Sequence, residues 1–209
     1  MSFDFQWQAE IPPIFQSVEF DGPFQKCLIC NREFYHDDQT PYVIEKIFVR
    51  AEAIVEMAVC LNCLMEMNGE MSEESSLTVK NEFEKKVDWS HRASLMPSIV
   101  NAPDSRKGDD EDESSEVIAQ QPNVERWIES CLLDGIPREE CRNYQICGLF
   151  LGNQIVLGQL PYVLSGTAVA RIGEKLSKKT RDQMGDFLET YFGMPPELCS
   201  PSGPVPVLF

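Results

Sequence analysis

Cys27-Leu-Ile-Cys30 is followed, after the first predicted hairpin, by Cys60-Leu-Asn-Cys63, and these two Cys-x-x-Cys pairs decide how the first half of the chain folds. Two such pairs can place four thiolates around one metal ion, and zinc favours four sulfur or nitrogen ligands in a tetrahedron. Because Cys27, Cys30, Cys60 and Cys63 would leave no coordination position for water or substrate, the sequence predicts one structural Zn²⁺ and no catalytic metal.

The composition of the chain restricts its class and its partners. With 209 residues, of which 43% are hydrophobic, it can bury one moderate core or two small ones. The net charge of −16 repels phosphate backbones, so nucleic acid is a disfavoured partner and a protein, particularly a basic one, is the expected partner. The sequence shows no signal peptide and no membrane-spanning run, so we expect a cytoplasmic protein with reduced cysteines and no membrane partner.

Charge and composition divide the chain into five segments. The stretch Asp109-Asp110-Glu111-Asp112-Glu113 marks a region with too few apolar side chains to offset the entropy of ordering, so it predicts a flexible linker. The predicted segments are an apolar N-terminal arm (1–25), a zinc-binding unit (26–99), the acidic linker (100–122), a second unit (123–199) and a proline-rich tail (200–209).

The N-terminal arm is unusually apolar for a terminus. Pro12-Pro13 prevents one continuous helix, so the sequence favours an extended arm that lies on the folded body. The alternative interpretation is an arm that binds a partner. Both rest on its large apolar side chains, which are Phe3, Phe5, Trp7, Ile14, Phe15, Phe20 and Phe24.

The segment between and after the cysteine pairs has alternating and then helical patterns. Residues 42–48 and 53–59 read as two strands of a hairpin, and Cys60 opens a helical pattern. Ser72 is a plausible N-cap for a second helix. The first half therefore predicts an α+β fold.

This order of metal pair, hairpin, metal pair and helix resembles the treble-clef class of zinc fingers, a zinc-ribbon-like style of four-cysteine site. The resemblance covers residues 26–88 and extends to the fold only, with no characterised family assigned. It implies that a knuckle at Cys27–Cys30 and the first helical turn at Cys60–Cys63 share one zinc ion.

The second half repeats this pattern without most of the cysteines. Residues 144–150 align with 42–48, and Ser177 aligns with Ser72 at an offset of 105 that also relates the helical apolar positions. We interpret the match as an ancient duplication, an internal repeat, although hairpin-then-helix units are common enough for a chance match. The fold class predicted for the whole chain is thus α+β, with two related hairpin-plus-helix, treble-clef-like units.

The second unit is predicted to be degenerate and metal-free. Cys131 remains, whereas Asp134, Ser165 and Ala168 occupy the positions expected for the other cysteines. A second site built from the remaining cysteines fits no knuckle spacing, so we expect these to be free thiols; they are Cys131, Cys141, Cys147 and Cys199. The sequence leaves open whether the two units share one core, but the linker favours a first unit that unfolds independently when Cys60 is replaced.

The sequence offers few groups for catalysis. Only two histidines occur, and His36 beside Asp37 and Asp38 is the one candidate for a metal-dependent hydrolase. No known catalytic motif accompanies it. The leading interpretation is therefore a non-enzymatic, zinc-stabilised protein-interaction module with no catalytic or organic-cofactor site. The alternatives are a nucleic-acid-associated zinc-finger regulator and a hydrolase that uses His36.

Overall fold

A computed structural model describes residues 7–35, 40–96 and 122–194 of the chain. The predicted flexible linker, except Pro122, and the predicted proline-rich tail lie outside the described residues, as do His36 and Cys199. The described residues form a mixed α+β fold with one antiparallel sheet. Its strands are β1 (Gln8–Glu10), β2 (Tyr42–Val49), β3 (Glu52–Cys60), β4 (Asn143–Leu151), β5 (Gln154–Val156) and β6 (Tyr162–Ser165). Its helices are α1 (Leu61–Glu70), α2 (Glu73–Lys86), α3 (Trp89–Ser94), α4 (Glu125–Ile128), α5 (Gly166–Gly173) and α6 (Lys178–Phe192).

The local predictions for the strands and helices are confirmed. The hairpin predicted at 42–48 and 53–59 is β2–β3, and Gly152 adopts a positive φ in the turn between β4 and β5. Ser72 and Ser177 cap α2 and α6, each accepting a hydrogen bond from the backbone N–H three residues later. The last helix ends at Gly193, whose left-handed conformation suits glycine.

The two halves of the chain meet in the middle of the sheet. Strand order is β1-β5-β4-β2-β3, with β6 also paired to β4, so β2 and β4 join the halves edge to edge. The register of this central pair is symmetric, because Tyr42 lies opposite Phe150 and Phe48 lies opposite Tyr144. One cluster of buried apolar side chains includes residues from both halves. The question that the sequence leaves open is thereby answered: both halves of the chain contribute to one sheet and one core.

The N-terminal segment runs across the sheet from the edge at β1 to the opposite edge at β3. Its strand β1 pairs with β5 of the second half, and Phe15 is fully buried against Phe150. Farther along, Glu56 on β3 accepts hydrogen bonds from the Ser17 hydroxyl (2.6 Å) and from the Val18 amide (3.0 Å). The segment thus contacts strands of both halves.

A buried ion pair supports the attachment of this segment. Lys46 on β2 is 2% exposed and lies 3.1 Å from the Glu56 carboxylate, and it also donates to the Gln16 carbonyl. Burial opposes ionisation of Glu56, but hydrogen bonds from Ser17, from nearby amides and from Lys46 lower its pKa overall. The ionised carboxylate therefore holds the N-terminal segment on β3.

The short helix α3 attaches the end of the first half to the second half. Arg92 on α3 is buried, and its guanidinium donates to the carbonyl oxygens of Trp127, Gln159 and Pro161. Three carbonyls are a suitable environment for a buried cation because each presents a partial negative charge. This contact adds a second connection between the halves beside the central strands.

Candidate metal centre

The first cysteine pair lies in a tight knuckle. The Cys27 amide donates to the Arg32 carbonyl (2.8 Å), the Asn31 amide donates to the Cys27 carbonyl (3.0 Å), and Asn31 takes a positive φ of 57°. The Leu28 amide donates to the Ala58 carbonyl (2.9 Å), which fastens the knuckle to β3. This local geometry directs the Cys27 and Cys30 side chains toward the end of β3.

The second pair lies where β3 becomes α1. Cys60 is the last residue of β3 and the N-cap of α1, and Cys63 lies in the first helical turn. The ligand atoms of Cys27, Cys30, Cys60 and Cys63 all lie within 4.8 Å of one another. The four residues that the spacing singles out are therefore brought together.

The distances fit a tetrahedral metal ion. With metal–sulfur bonds of about 2.3 Å, two sulfur atoms of a tetrahedron lie about 3.8 Å apart. The Sγ atoms of Cys30 and Cys60 are separated by 3.8 Å. A set of four sulfur donors without carboxylates suits a soft or borderline cation rather than Mg²⁺ or Ca²⁺. The group is thus a candidate metal site on its own geometry.

The surroundings of the four thiols favour a bound cation. Burial raises the pKa of Cys60 and of Cys63, so these buried thiols need a positive partner to ionise. Burial also opposes ionisation of Cys30, but hydrogen bonds from the Arg32 backbone and the neighbouring cysteines lower its pKa to about 7. The Cys60 amide, at the positive end of α1, donates to the Cys27 sulfur (3.4 Å). Cys30 is exposed, so one side of the group faces solvent.

The second half contains a knuckle with the same backbone hydrogen bonds. The Cys131 amide donates to the Ile136 carbonyl (2.8 Å), and the Gly135 amide donates to the Cys131 carbonyl (2.9 Å). The Leu132 amide donates to Val163 on β6 (2.8 Å), as Leu28 donates to Ala58 on β3. These bonds reproduce the first knuckle and its attachment to the strand that leads into a helix.

In the second knuckle, hydrogen bonds lie where the first knuckle has its candidate metal site. The Ser165 hydroxyl donates to the Asp134 carboxylate (2.6 Å), and the Thr167 hydroxyl does so at 3.2 Å. The Ser165 amide donates to the Cys131 sulfur (3.1 Å), as the Cys60 amide does to Cys27. Asp134 and Ser165 therefore connect the second knuckle to α5 directly. The sequence does not single out Thr167 as a partner of Asp134. Its position in the first turn of a helix capped by Ser165 is the one feature that could have indicated this role.

The other cysteines do not form a second cluster in the described chain. Cys147 is buried in β4, where burial raises its thiol pKa, and Cys141 is partly exposed beside the second knuckle. Within residues 7–35, 40–96 and 122–194, only the first four cysteines lie close enough together to hold a metal ion. All seven cysteines in these ranges are free thiols.

The alternative catalytic group of His36, Asp37 and Asp38 lies outside the described residues. The described residues include no helix with enough length and hydrophobicity to span a lipid bilayer.

Comparison with protein-family models, with curated proteins and with solved structures gives no match to this chain.

Proposed function

We propose that Cys27, Cys30, Cys60 and Cys63 bind one structural Zn²⁺ and that the protein is a non-enzymatic, zinc-stabilised interaction module of the cytoplasm. The convergence of four thiols within 4.8 Å of one another carries the proposal. Bound zinc would join the knuckle to α1 and neutralise part of the thiolate charge. The free thiols of the described chain suit the reducing compartment that such a site requires.

We further propose that the chain contains two treble-clef-like units that arose by duplication, the second without metal. The symmetric pairing of β2 with β4 supports this, since equivalent strands of two copies would pair in that way about a twofold axis. The repeated knuckle hydrogen bonds and the paired caps Ser72 and Ser177 support it independently. Zinc in one copy and a hydrogen-bonded Asp134 in the other would then stabilise equivalent positions.

The charge of the chain supports a protein partner over the nucleic-acid alternative. Acidic residues outnumber basic ones by 34 to 18, so the chain is negatively charged. A negatively charged surface repels the phosphates of nucleic acids, most strongly at low salt, where charges are little screened. The alternative of a finger that binds nucleic acid predicts measurable, salt-sensitive affinity for a short duplex or single strand.

Native mass spectrometry of the reduced, purified chain, together with elemental analysis, tests the metal proposal. We expect one zinc per chain, and a chain that carries no metal or two metals would contradict it. Fluorescence anisotropy with labelled DNA and RNA at low salt tests the class of partner. We expect no binding, whereas tight binding that weakens steeply with salt would favour the nucleic-acid regulator.

A further inference from the structure

The second knuckle shows which two positions are joined directly when a knuckle is attached to its helix. Asp134 occupies the fourth position of that knuckle, as Cys30 does in the first. Ser165 ends β6 and is the N-cap of α5, as Cys60 ends β3 and is the N-cap of α1. The hydroxyl of the serine donates to the carboxylate of the aspartate at 2.6 Å. This bond therefore joins the two positions that cysteines occupy in the first half.

The sulfur atoms of Cys30 and Cys60 are close enough to form the same connection covalently. Their Sγ atoms lie 3.8 Å apart. A disulfide has an S–S distance of about 2.05 Å, so the two atoms need to approach by about 1.8 Å. Cys30 is exposed, so its side chain can rotate toward Cys60 without displacing a packed core. A disulfide here would attach the first knuckle to α1 without a metal ion.

The other two thiols are not needed for this connection. Cys63 corresponds to Ala168, since each lies three residues after the N-cap of its helix, and an alanine side chain forms no such link. Cys27 corresponds to Cys131, and each of these two sulfur atoms accepts a backbone N–H, at 3.4 Å and 3.1 Å. Cys27 and Cys63 can thus remain thiols while the knuckle stays attached.

Solvent reaches one of the four thiols far more easily than the others. Cys27, Cys60 and Cys63 are at most 6% exposed, whereas Cys30 is exposed. A small oxidant in solution therefore meets the Cys30 sulfur first. The sulfur that completes a disulfide must then come from within the group, whose ligand atoms all lie within 4.8 Å of one another.

We propose that the first knuckle is a thiol–disulfide switch, in which hydrogen peroxide joins Cys30 to Cys60 by a disulfide that takes the place of the metal. The oxidised form holds this knuckle on α1 as Ser165 and Asp134 hold the second knuckle on α5. Thiol reductants of the cytosol reverse such a disulfide, so the oxidised form is transient. The proposal rests on the proposed metal site for the released ion, whereas the disulfide depends on the thiols alone.

The reaction balances as a two-electron oxidation. The Cys30 sulfur attacks one oxygen of hydrogen peroxide, the O–O bond breaks, and the leaving hydroxide takes up a proton to form water. The Cys60 sulfur then attacks the sulfenic sulfur of Cys30, the S–O bond breaks, and a second water leaves. Both electrons that the peroxide gains come from these two sulfurs. Cys27 and Cys63 each take up a proton from solvent and release the metal as Zn²⁺.

Peroxide treatment of the full zinc-loaded chain, with reductant removed, tests the proposal. Free thiols are then alkylated without reduction, disulfides are located by mass spectrometry, and released zinc is measured with a chromogenic chelator. Fragment spectra must assign each sulfur, because Cys27 and Cys30 share one tryptic peptide, as do Cys60 and Cys63. We expect a disulfide from Cys30 to Cys60 and one zinc ion released for each disulfide. A disulfide between another pair, or zinc release without a disulfide, would overturn the proposal.

Hydrogen exchange measures whether the disulfide replaces the metal. The Leu28 amide donates to the Ala58 carbonyl and so reports on the attachment of the knuckle. We expect this amide to exchange at least about ten-fold more slowly in the oxidised chain than in the reduced chain stripped of metal by a chelator. Equal exchange in the two forms would contradict the proposal.

Cys141→Ser is the matched control, because Cys141 is a partly exposed free thiol outside the four-cysteine group. This variant should form the same disulfide and release the same amount of zinc, and loss of the disulfide would mean that oxidation passes through Cys141 instead. A chain that holds one zinc but forms no disulfide between Cys30 and Cys60 would retain the metal proposal and lose only this switch. A chain that forms the disulfide but never held zinc would contradict the metal proposal and support the thiol pair.

Discussion

The hydroxyl oxygens of Ser72 and Ser177 lie 2.8 Å apart, so the N-caps of α2 and α6 contact each other. The contact is reciprocal: the Ser72 amide donates to Thr180 (3.2 Å), and the Ser177 amide donates to Ser75 (2.9 Å). Two helix N-termini, each with free amides and a partial positive charge, thereby face one another across a ring of hydroxyls. The caps that the sequence predicts separately act together to join the two halves.

Because of this contact, replacing the two caps should not have additive effects. Ser72→Ala and Ser177→Ala should each lower the free energy of unfolding by about 1 kcal/mol, the usual cost of a lost cap. The double variant should differ from the sum by about 0.5–1 kcal/mol, since each change also removes a partner of the other hydroxyl. Urea unfolding of all four proteins measures this. Ser76→Ala, an exposed position on α2, is the control and should be neutral, and strict additivity would contradict the contact.

Loss of one thiol from the candidate metal site should destabilise both halves of the chain together. Cys60→Ser should lose the metal, and a structural zinc ion contributes about 10–16 kcal/mol to folding in small finger peptides. The sequence alone favours a second unit that stays folded, but the pairing of β2 with β4 removes that independence. Hydrogen exchange read by mass spectrometry should therefore show faster exchange in both β2 and β4.

Cys141→Ser is the matched control for this change, because Cys141 is a free thiol outside the four-cysteine group. It should keep one zinc and the exchange protection of the unmodified chain. If Cys60→Ser speeds exchange only in residues 42–60 and leaves β4 protected, the two units do not unfold as one.

The Asp134 carboxylate should stabilise the second knuckle in a pH-dependent way. Burial opposes its ionisation, yet hydrogen bonds from Cys131, Ser165 and Thr167 hold its pKa below the usual value. A group with a lowered folded pKa stabilises the protein above the unfolded pKa of about 3.9, and this stabilisation is lost as the pH falls through the folded pKa. Asp134→Asn should thus be less stable by about 1 kcal/mol at pH 7, a modest value because the side chain is partly exposed to solvent.

The stability difference between Asp134→Asn and the unmodified chain should begin to shrink once the pH falls below the unfolded pKa of about 3.9, and it should be lost as the pH falls through the lower folded pKa. Chemical unfolding at several pH values measures it. A stability difference that stays constant down to pH 3 would mean that the charge of Asp134 does not matter. Glu139→Gln is the control, because Glu139 is an exposed carboxylate nearby in the sequence, and this variant should show no such pH dependence.

The second knuckle should accept a metal when its three missing thiols are restored. The variant Asp134→Cys/Ser165→Cys/Ala168→Cys retains Cys131 and the hydrogen bonds that shape the knuckle, so it should bind two zinc ions per chain. Cobalt(II) substitution should double the absorbance of the tetrahedral thiolate bands. Adding Cys131→Ser to the same variant should return the count to one. A folded triple variant that still binds one metal would show that the two knuckles are not equivalent.

The local features of this chain can be predicted from short segments of its sequence. The Cys-x-x-Cys spacing locates the knuckle, alternating apolar residues locate β2 and β3, and serines mark the helix starts, because each depends on neighbours within a few residues. The apolar N-terminal arm is also visible in the sequence, although its path across the sheet is not. The α+β class and the four residues of the candidate metal site follow from these local signals.

Longer-range relationships depend on which surfaces meet and cannot be read from spacing. The pairing of β2 with β4 is one, since strands separated by a long acidic stretch carry no local signal of their partner. The cation of Arg92 in a cage of carbonyls and the ion pair of Lys46 with Glu56 are others, because burial of a charge is decided by the surrounding chain.

The sequence by itself determined the knuckles, the strands, the helix caps and the four thiols, all of which depend on contacts close along the chain. Only the tertiary structure decided that the two halves of the chain form one sheet and that Asp134 and Ser165 join the second knuckle to α5 by a hydrogen bond. The physical reason is that burial and charge pairing depend on residues from distant parts of the chain. The Cys-x-x-Cys spacing and the helix caps, in contrast, involve residues only a few positions apart.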